Sequence, residues 1–196
     1  ASPTTMQHML RYEEIEMTVK LPEPLIRGTT SSRCISDFMR PREPEYEKMF
    51  EGSLQGLEHL GHFYVAPFQR PAVWTDDQKR KLVESVHLGI SIGSIVVSAE
   101  GKEDKTTGRF PISADLIVDG QQRMRAIKAY REEGLRIFVG TEHEHSWEEL
   151  DRVQRRRFES VSVGYIQLDE FDMDSLREIY NRLNFGGTAH TEDQRA

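Results

Sequence analysis

The segment Leu116–Ala126 reads LIVDGQQRMRA, and its character changes at its centre. An apolar run ends at Asp119 and Gly120, and two glutamines and two arginines follow at once. The pattern predicts a buried strand, a tight turn and a helix that begins at about Gln121. Backbone N–H groups and the positive end of the helix dipole then point to one place, which suits an anion.

The side chains of this turn supply groups that can hold such an anion. Arg123 lies in the first helical turn and can bind a phosphate in a bidentate manner. Arg125 is two residues further on and faces a different group. Gln121 and Gln122 offer donors and acceptors that suit a ribose or a base edge. A helix capped by Asp119 and flanked by ordinary surface arginines explains the pattern equally well, so both interpretations stay open.

On both sides of this segment, strand-like and helix-like patterns alternate. Thr75 and Gln78 have the spacing of a capping box, which predicts a helix from there to Gly89. The alternation favours an α/β (α+β) fold. From residue 62 onward we predict strands at 62–68, 92–99, 115–120, 135–140 and 161–171, and helices at 75–89, 121–134, 146–160 and 172–187.

Residues 1–60 differ from the remainder of the chain. They are rich in Pro, Gly and Ser around residues 21–48, which is typical of an irregular segment. We predict an irregular, partly helical N-terminal arm with short helices near Thr5–Val19 and Glu45–Leu60. The domain proper is expected to span residues 61–196.

Composition and charge limit the functions to consider. A hydrophobic content of 37% fits a globular protein, and no apolar run is long enough to span a bilayer. The single cysteine, Cys34, suits a reducing cytoplasm, which is the host cytoplasm if a phage encodes the chain. A net charge of −7 argues against a plain DNA-binding module. The basic cluster Arg152–Phe158 is interpreted as a solvated helix face rather than a DNA contact.

A second polar cluster lies in APFQRPAVW, residues 66–74. Gln69 and Arg70 follow a predicted strand and precede a proline that fixes the backbone direction. Trp74 stands just before the helix N-cap, where it either stacks on a base or anchors the helix. The anchoring role is the simpler interpretation.

Four sequence blocks together are similar to a known family. They are PFQRPAVW, IGSIVV, LIVDGQQRMRAIKAY and IYNRLNFGGT, at residues 67–74, 92–97, 116–130 and 179–188. In their order and spacing they resemble the DGQQR proteins, and in particular the nucleotide-binding S-type half of GmrSD restriction systems. That group is similar to the ParB/sulfiredoxin superfamily, which implies a mixed sheet flanked by helices. The resemblance covers about residues 63–194.

The resemblance implies a nucleotide site and its residues. A nucleoside triphosphate with Mg²⁺ is the expected ligand, with Asp119, Arg123 and Arg70 as catalytic residues. The metal ligands remain open, with Asp119 and, less directly, Glu84 as the available carboxylates. The implied nucleotide-binding residues are Gln69, Arg70, Gly120, Gln121, Gln122, Arg123, Arg125, Asn181, Arg182 and Asn184.

The same resemblance implies a role in DNA metabolism. In restriction members, binding and hydrolysis of the triphosphate license cleavage of modified DNA by a separate HNH nuclease domain. We find no HNH cluster in this sequence, and no cysteine near the DGQQR turn for sulfiredoxin chemistry. The expected function is therefore nucleotide binding with hydrolysis, with modified DNA or a nuclease or effector protein as a further partner. A phosphotransferase, a nucleotide-switched binding module and a ParB-like nuclease stay as alternatives.

Overall fold

The protein is described by a computed structural model, which covers residues 22–42, 57–98, 115–170 and 172–185. Six strands and five helices are present in these residues, which confirms the predicted mixed α/β class. The strands are β1 (Gly28–Cys34), β2 (His59–Leu60), β3 (Phe63–Val65), β4 (Ser94–Val97), β5 (Leu116–Asp119) and β6 (Ser162–Leu168). The helices are α1 (Ile35–Met39), α2 (Asp76–His87), α3 (Gln121–Glu132), α4 (Arg152–Glu159) and α5 (Met173–Phe185).

All six strands belong to one mixed sheet with the order β1-β6-β4-β5-β3-β2. Strands β3 and β5 are parallel neighbours, with Tyr64 opposite Leu116, and β4 and β6 are the other parallel pair. The remaining three pairs are antiparallel. Because β3 and β5 run in the same direction side by side, the chain leaves both strands at the same edge of the sheet.

The two faces of the sheet are covered by different helices, because alternate residues of each strand point to opposite sides. Ile95, Val97 and Ile117 pack with residues of α1 to α4 in one apolar cluster. Val96 and Val118 point the other way and pack with Leu176, Ile179 and Tyr180 of α5. The result is three layers of helices, sheet and helix.

Helices α2 and α3 form as the sequence predicts. Thr75 caps α2 by accepting a hydrogen bond from the Gln78 N–H at 3.3 Å, and the Gln78 side chain accepts one from the Thr75 N–H at 2.9 Å. In α3, Met124, Ile127 and Tyr130 are buried. Both helices therefore pack their apolar stripes against the sheet.

The prediction of an irregular segment is wrong for residues 28–39. Residues Gly28–Cys34 pair with β6 along their whole length as an edge strand. Helix α1 follows, and its Ile35 and Phe38 are buried in the main core. The segment GTTSSRC has no apolar alternation, and most of its residues are exposed, so the sequence carries no strand signal. The boundary at residue 60 stays a prediction.

Two predicted elements between α3 and β6 differ from the structure. Residues 135–140 are not a strand, because Phe138 and Gly140 adopt positive φ angles and only the Ile137–His145 bridge is extended. The next helix begins at Arg152 rather than at residue 146. Asp151 stops it from starting earlier, since its carboxylate caps the N–H groups of the first turn at 2.7 and 2.8 Å.

Several predicted features lie outside the described residues. They are the helix at Thr5–Val19, most of the helix at Glu45–Leu60 and the end of the helix at 172–187, together with residues 101–114 between two predicted strands. Of the second helix, residues 57–60 are described; they are not helical, and His59–Leu60 form strand β2. No helix in the described part of the chain is long and apolar enough to cross a membrane.

Candidate functional site

The candidate site lies where the chain leaves β3 and β5. Residues 66–70 follow β3, and the Asp119–Gly120 turn follows β5 and begins α3. Parallel strands that are neighbours deliver their following loops to the same edge of the sheet, which is where α/β proteins commonly bind ligands. The structure therefore brings together two sequence blocks that are about 50 residues apart.

These loops enclose a pocket of about 120 Å³. Eight of the predicted site residues line it. Trp74 and Tyr180 complete the lining, and Tyr180 is a residue that sequence reasoning missed, although it lies one helical turn before Asn184. The predicted residues in the lining are Gln69, Arg70, Asp119, Gly120, Gln121, Gln122, Arg123 and Asn184.

Gly120 shapes the floor of this pocket. Its φ angle is +102°, a conformation that residues with a Cβ rarely adopt, and it is the N-cap residue of α3. A Cβ at this position would lie 2.5 Å from Ile95 Cδ1. No side chain caps the first turn of α3. The positive end of this 12-residue helix therefore faces the pocket.

We expect Gly120→Ala to lower the free energy of unfolding by about 1–3 kcal/mol, because it forces an unfavourable backbone angle and a contact with Ile95. Gly89→Ala is the matched control, since Gly89 also has a positive φ angle (+73°) but nothing lies within 4 Å of its added Cβ. Urea unfolding of both variants measures the difference. Equal losses would show that the contact with Ile95 contributes nothing.

The glutamines of the site form a network that holds its walls. Gln69 donates to the carbonyl of Ile117 in β5. In the amide orientation that satisfies its neighbours, the buried Gln121 donates to Gln69 Oε1 at 2.8 Å and to the Arg70 carbonyl at 3.2 Å. Its oxygen accepts from Arg125 Nη2 at 3.0 Å. Both glutamines thus fix the loop after β3, rather than projecting their amides into the pocket.

Gln122 holds the far end of the same loop. Its side-chain oxygen accepts from the Trp74 N–H at 3.4 Å, and its nitrogen donates to the Pro71 carbonyl at 3.4 Å. Trp74 packs against the main core and also lines the pocket. Its position is compatible with both of the roles that the sequence suggests.

Arg123 lies at the pocket wall with its guanidinium already engaged. It pairs with the Asp119 carboxylate and donates to the carbonyls of Ile92 at 3.2 Å and Ser94 at 2.7 Å. It also packs over Gly93, where a Cβ would lie 2.7 Å from Arg123 Nη1. In this arrangement Arg123 ties α3 to the start of β4 and orients Asp119.

Arg70 contrasts with Arg123. Arg70 is exposed and lines the pocket, and its backbone N–H lies 3.5 Å from the Tyr180 hydroxyl. Within the described part of the chain its guanidinium forms no ion pair. Its charge is thus available to a ligand in the pocket without first breaking an internal contact.

The other predicted residues are less directly placed. Arg125 forms a bidentate ion pair with Glu58 outside the pocket lining. Asn181 and Arg182 are exposed on α5, and Arg182 pairs with Glu178 at 2.6 Å. Asn181 and Arg182 do not line the pocket. Asn184, the third predicted site residue of α5, does line it.

The pocket offers few carboxylate ligands to a metal. Asp119 is the one acidic side chain among the described residues that line it. The Glu84 carboxylate instead accepts a hydrogen bond from the Phe138 N–H at 2.7 Å. Among the described residues no group of three His, Cys, Asp or Glu side chains could hold an ion. A hard cation would here need oxygens from its ligand and from water, as Mg²⁺ commonly has.

The fold and this pocket define an α+β domain with a polar site at the N-terminus of a central helix. A family model for the N-terminal domain of the GmrSD restriction endonuclease matches residues 46–160, which is more than half of the chain. The chain belongs to this family. Comparisons with characterised proteins and with solved structures found no significant match.

The range that the family model matches, residues 46–160, differs from the range of the four-block resemblance, about residues 63–194. It begins at residue 46, inside the predicted arm, and it ends before α5. Three of the four blocks lie within it, while the block at residues 179–188 lies beyond it. The relation to ParB and to sulfiredoxin stays a prediction.

Proposed function

We propose that this domain binds a nucleoside triphosphate with its phosphates at the N-terminus of α3, in support of the restriction or modification of DNA. The DNA-directed part rests on the family, which is named for restriction endonucleases. The nucleotide part rests on the pocket. A helix N-terminus without a side-chain cap, beside an arginine that pairs with no acidic side chain of the described residues, is a site for a multiply charged anion.

The size of the pocket supports a specific pose. Its volume of about 120 Å³ is smaller than the roughly 300–1,000 Å³ of sites that enclose a drug-sized ligand. It accommodates phosphate groups and leaves the ribose and base outside. Gly120 lets an anion approach the first N–H groups of α3, and Arg70 approaches from the opposite loop.

The ribose and base then lie over Trp74. This residue lines the phosphate pocket and also a shallow neighbouring groove with Lys81, Leu82 and Ile92. An indole at the junction offers a face on which a base stacks, and stacking of this kind does not distinguish among bases. The pose explains how a small pocket serves a larger ligand.

Hydrolysis is the second part of the proposal. Phosphoryl transfer to water depends mainly on positioning and on charge stabilisation, because the transferred group carries its negative charge on peripheral oxygens. Arg70 and the helix dipole supply positive potential there. When bound, Mg²⁺ neutralises phosphate charge, and Asp119, oriented by Arg123, is the carboxylate that would hold it.

The observation that carries the proposal is that the exposed Arg70 lines the same pocket as the uncapped start of α3. Calorimetry of the full chain with ATP, GTP and CTP, each with Mg²⁺, tests binding. Release of inorganic phosphate tests hydrolysis, whereas a phosphorylated acceptor would indicate the phosphotransferase alternative. The proposal is wrong if none of the three nucleotides binds.

We expect Trp74→Leu to weaken nucleotide binding by about tenfold, the usual loss when an aromatic stacking partner is removed. Leucine keeps apolar contacts with the core and removes only the aromatic face. Calorimetry with ATP and with inorganic tripolyphosphate separates the roles. Tripolyphosphate has no base, so its affinity should not change, and equal losses for both ligands would contradict stacking on Trp74.

A further inference from the structure

A second concave surface lies at the other end of α3, formed with helix α4. It has a volume of about 610 Å³ and is open to solvent. We call it the arginine groove. Four of its seven lining residues are arginines, although the chain as a whole carries a net charge of −7. The lining residues are Arg131, Trp147, Leu150, Arg152, Arg155, Arg156 and Glu159.

The arginines of α4 differ from most arginines of the described structure in having no acidic partner. Arg27, Arg80, Arg136 and Arg177 each pair with a carboxylate at the surface. Within the described residues, Arg152 and the two arginines that line the groove beside it form no ion pair. Positive charge therefore accumulates along one face of α4 without internal neutralisation.

This arrangement is unfavourable for the isolated helix. Arg152 occupies the first position of α4, where the helix dipole disfavours a cation. Arg152 and Arg156 are four residues apart, so their like charges repel across one helical turn. A structural role for these residues would favour acidic or neutral side chains at the first position. An external anion relieves both repulsions.

Two arginines of the groove, Arg131 and Arg155, are held in place by contacts within the protein. Arg131 pairs with Glu159 through Nη2 at 3.0 Å, while its Nε and Nη1 are buried without a hydrogen-bond partner. Arg155 donates to the Glu148 carbonyl at 2.9 Å, and its Nε likewise has no partner. The guanidinium groups of both lie over Trp147, at 5.6 and 5.5 Å from the ring. These contacts restrict the orientation of both guanidinium groups.

We propose that the arginine groove binds the phosphodiester backbone of DNA. A regular polyanion fits cations repeated one helical turn apart, and guanidinium groups match phosphate oxygens in charge and geometry. The groove is open to solvent, so a polymer strand can reach it without entering an enclosed cavity. The inference rests on the DNA-directed part of the proposed function. It assigns to Arg152–Phe158 a role other than that of a solvated helix face, which was the interpretation from the sequence.

The arginine groove is separate from the nucleotide pocket. Gln121 and Arg123 of the pocket begin α3, whereas Arg131 of the groove lies in its last turn. Arg131 lies eight positions after Arg123 in α3, which corresponds to about 12 Å along the helix axis. The two sites can therefore be altered independently.

Fluorescence anisotropy with labelled single-stranded and duplex oligonucleotides tests the proposal, with and without ATP and Mg²⁺. We expect the double variant Arg152→Ala/Arg156→Ala to bind DNA roughly ten- to a hundredfold more weakly at low salt. The slope of log affinity against log salt should fall by about 2. Whichever oligonucleotide binds more tightly identifies the form of DNA.

Two further double variants serve as controls. Arg27→Ala/Arg177→Ala removes the same charge from exposed, paired positions and should leave the affinity nearly unchanged. Arg152→Lys/Arg156→Lys keeps the charge and should retain most of the binding. The proposal is overturned if the wild type binds neither oligonucleotide, or if the paired control loses as much affinity as the α4 variant. Unchanged nucleotide affinity in the α4 variant keeps this result distinct from a failure of the nucleotide site.

Discussion

Arg70→Ala is expected to weaken nucleoside triphosphate binding by about ten- to a hundredfold, the loss typical of one charge-assisted hydrogen bond. Arg70 is exposed at the pocket, and within the described residues it forms no ion pair that the substitution would break. Calorimetry with ATP and Mg²⁺ measures the change. Urea unfolding should show a change within about 0.5 kcal/mol, as for surface substitutions generally.

Arg27→Ala is the control for the loss of one positive charge. Arg27 is exposed and pairs with Glu23, remote in sequence from the pocket residues. Its variant should bind the nucleotide like the wild type at physiological salt, since long-range effects are screened. If Arg70→Ala binds as tightly as Arg27→Ala, the pocket does not hold phosphate through Arg70, and the proposed pose fails.

The residues that meet in the pocket were largely predictable, and the reason is topological. The blocks around Arg70 and Gly120 each follow a strand, and those strands prove to be parallel neighbours. Loops that follow parallel neighbours share an edge, so the polar residues converge. The sequence alone does not reveal which strands are neighbours. The resemblance to a family supplied that information, and the nucleotide itself stays a prediction.

What each polar side chain does within the site could not be predicted. Arg123 has the side chain and the sequence position expected of a residue that binds phosphate. Its guanidinium is instead engaged by Asp119 and by two carbonyls near β4. Those carbonyls become neighbours only when the sheet assembles. Sequence spacing reports which residues share a turn, whereas hydrogen-bond partners more than 25 residues away depend on tertiary packing.

The edge strand β1 shows a similar limit. Its seven residues are small or polar and mostly exposed, so no hydrophobic periodicity marks them. These residues belong to the sheet because their backbone pairs with β6 along the whole strand, and not because their side chains are buried. Conversely, Leu135 and Ile137 alternate as buried residues and imitate a strand, although positive φ angles at Phe138 and Gly140 turn the chain.

Arg42→Met is expected to cause the largest loss of stability, about 3–5 kcal/mol in the free energy of unfolding. Arg42 Nη2 lies 3.2 Å from the Asp115 carboxylate, and the two side chains are only 8% and 2% exposed. Arg42 also donates to the His62 carbonyl at 2.6 Å. Removing the guanidinium deprives the buried Asp115 carboxylate of the positive charge of Arg42, and urea unfolding measures the cost.

A double variant separates the ion pair from simple packing. Asp115 has a positive φ angle of 56°, which asparagine tolerates better than most residues. Arg42→Met/Asp115→Asn removes both charges, so it should recover part of the stability that Arg42→Met loses. The surface variant Arg177→Ala breaks a pair whose side chains are 53% and 88% exposed, and it should change stability by less than about 1 kcal/mol.

The histidine beside this pair provides an independent readout. Burial lowers the pKa of the His62 imidazole to about 4, and the positive charge of Arg42 is the next contribution in the same direction. In Arg42→Met the pKa of His62 should therefore rise, which NMR titration of the imidazole can follow. An unchanged pKa together with unchanged stability would mean that residues 40–42 are not held to the core through Arg42. A rise in both the pKa of His62 and the unfolded fraction would show that residues 40–42 unfold together with β5 and the candidate site. These residues would then belong to the same cooperative unit, although the sequence predicts them to lie in the N-terminal arm.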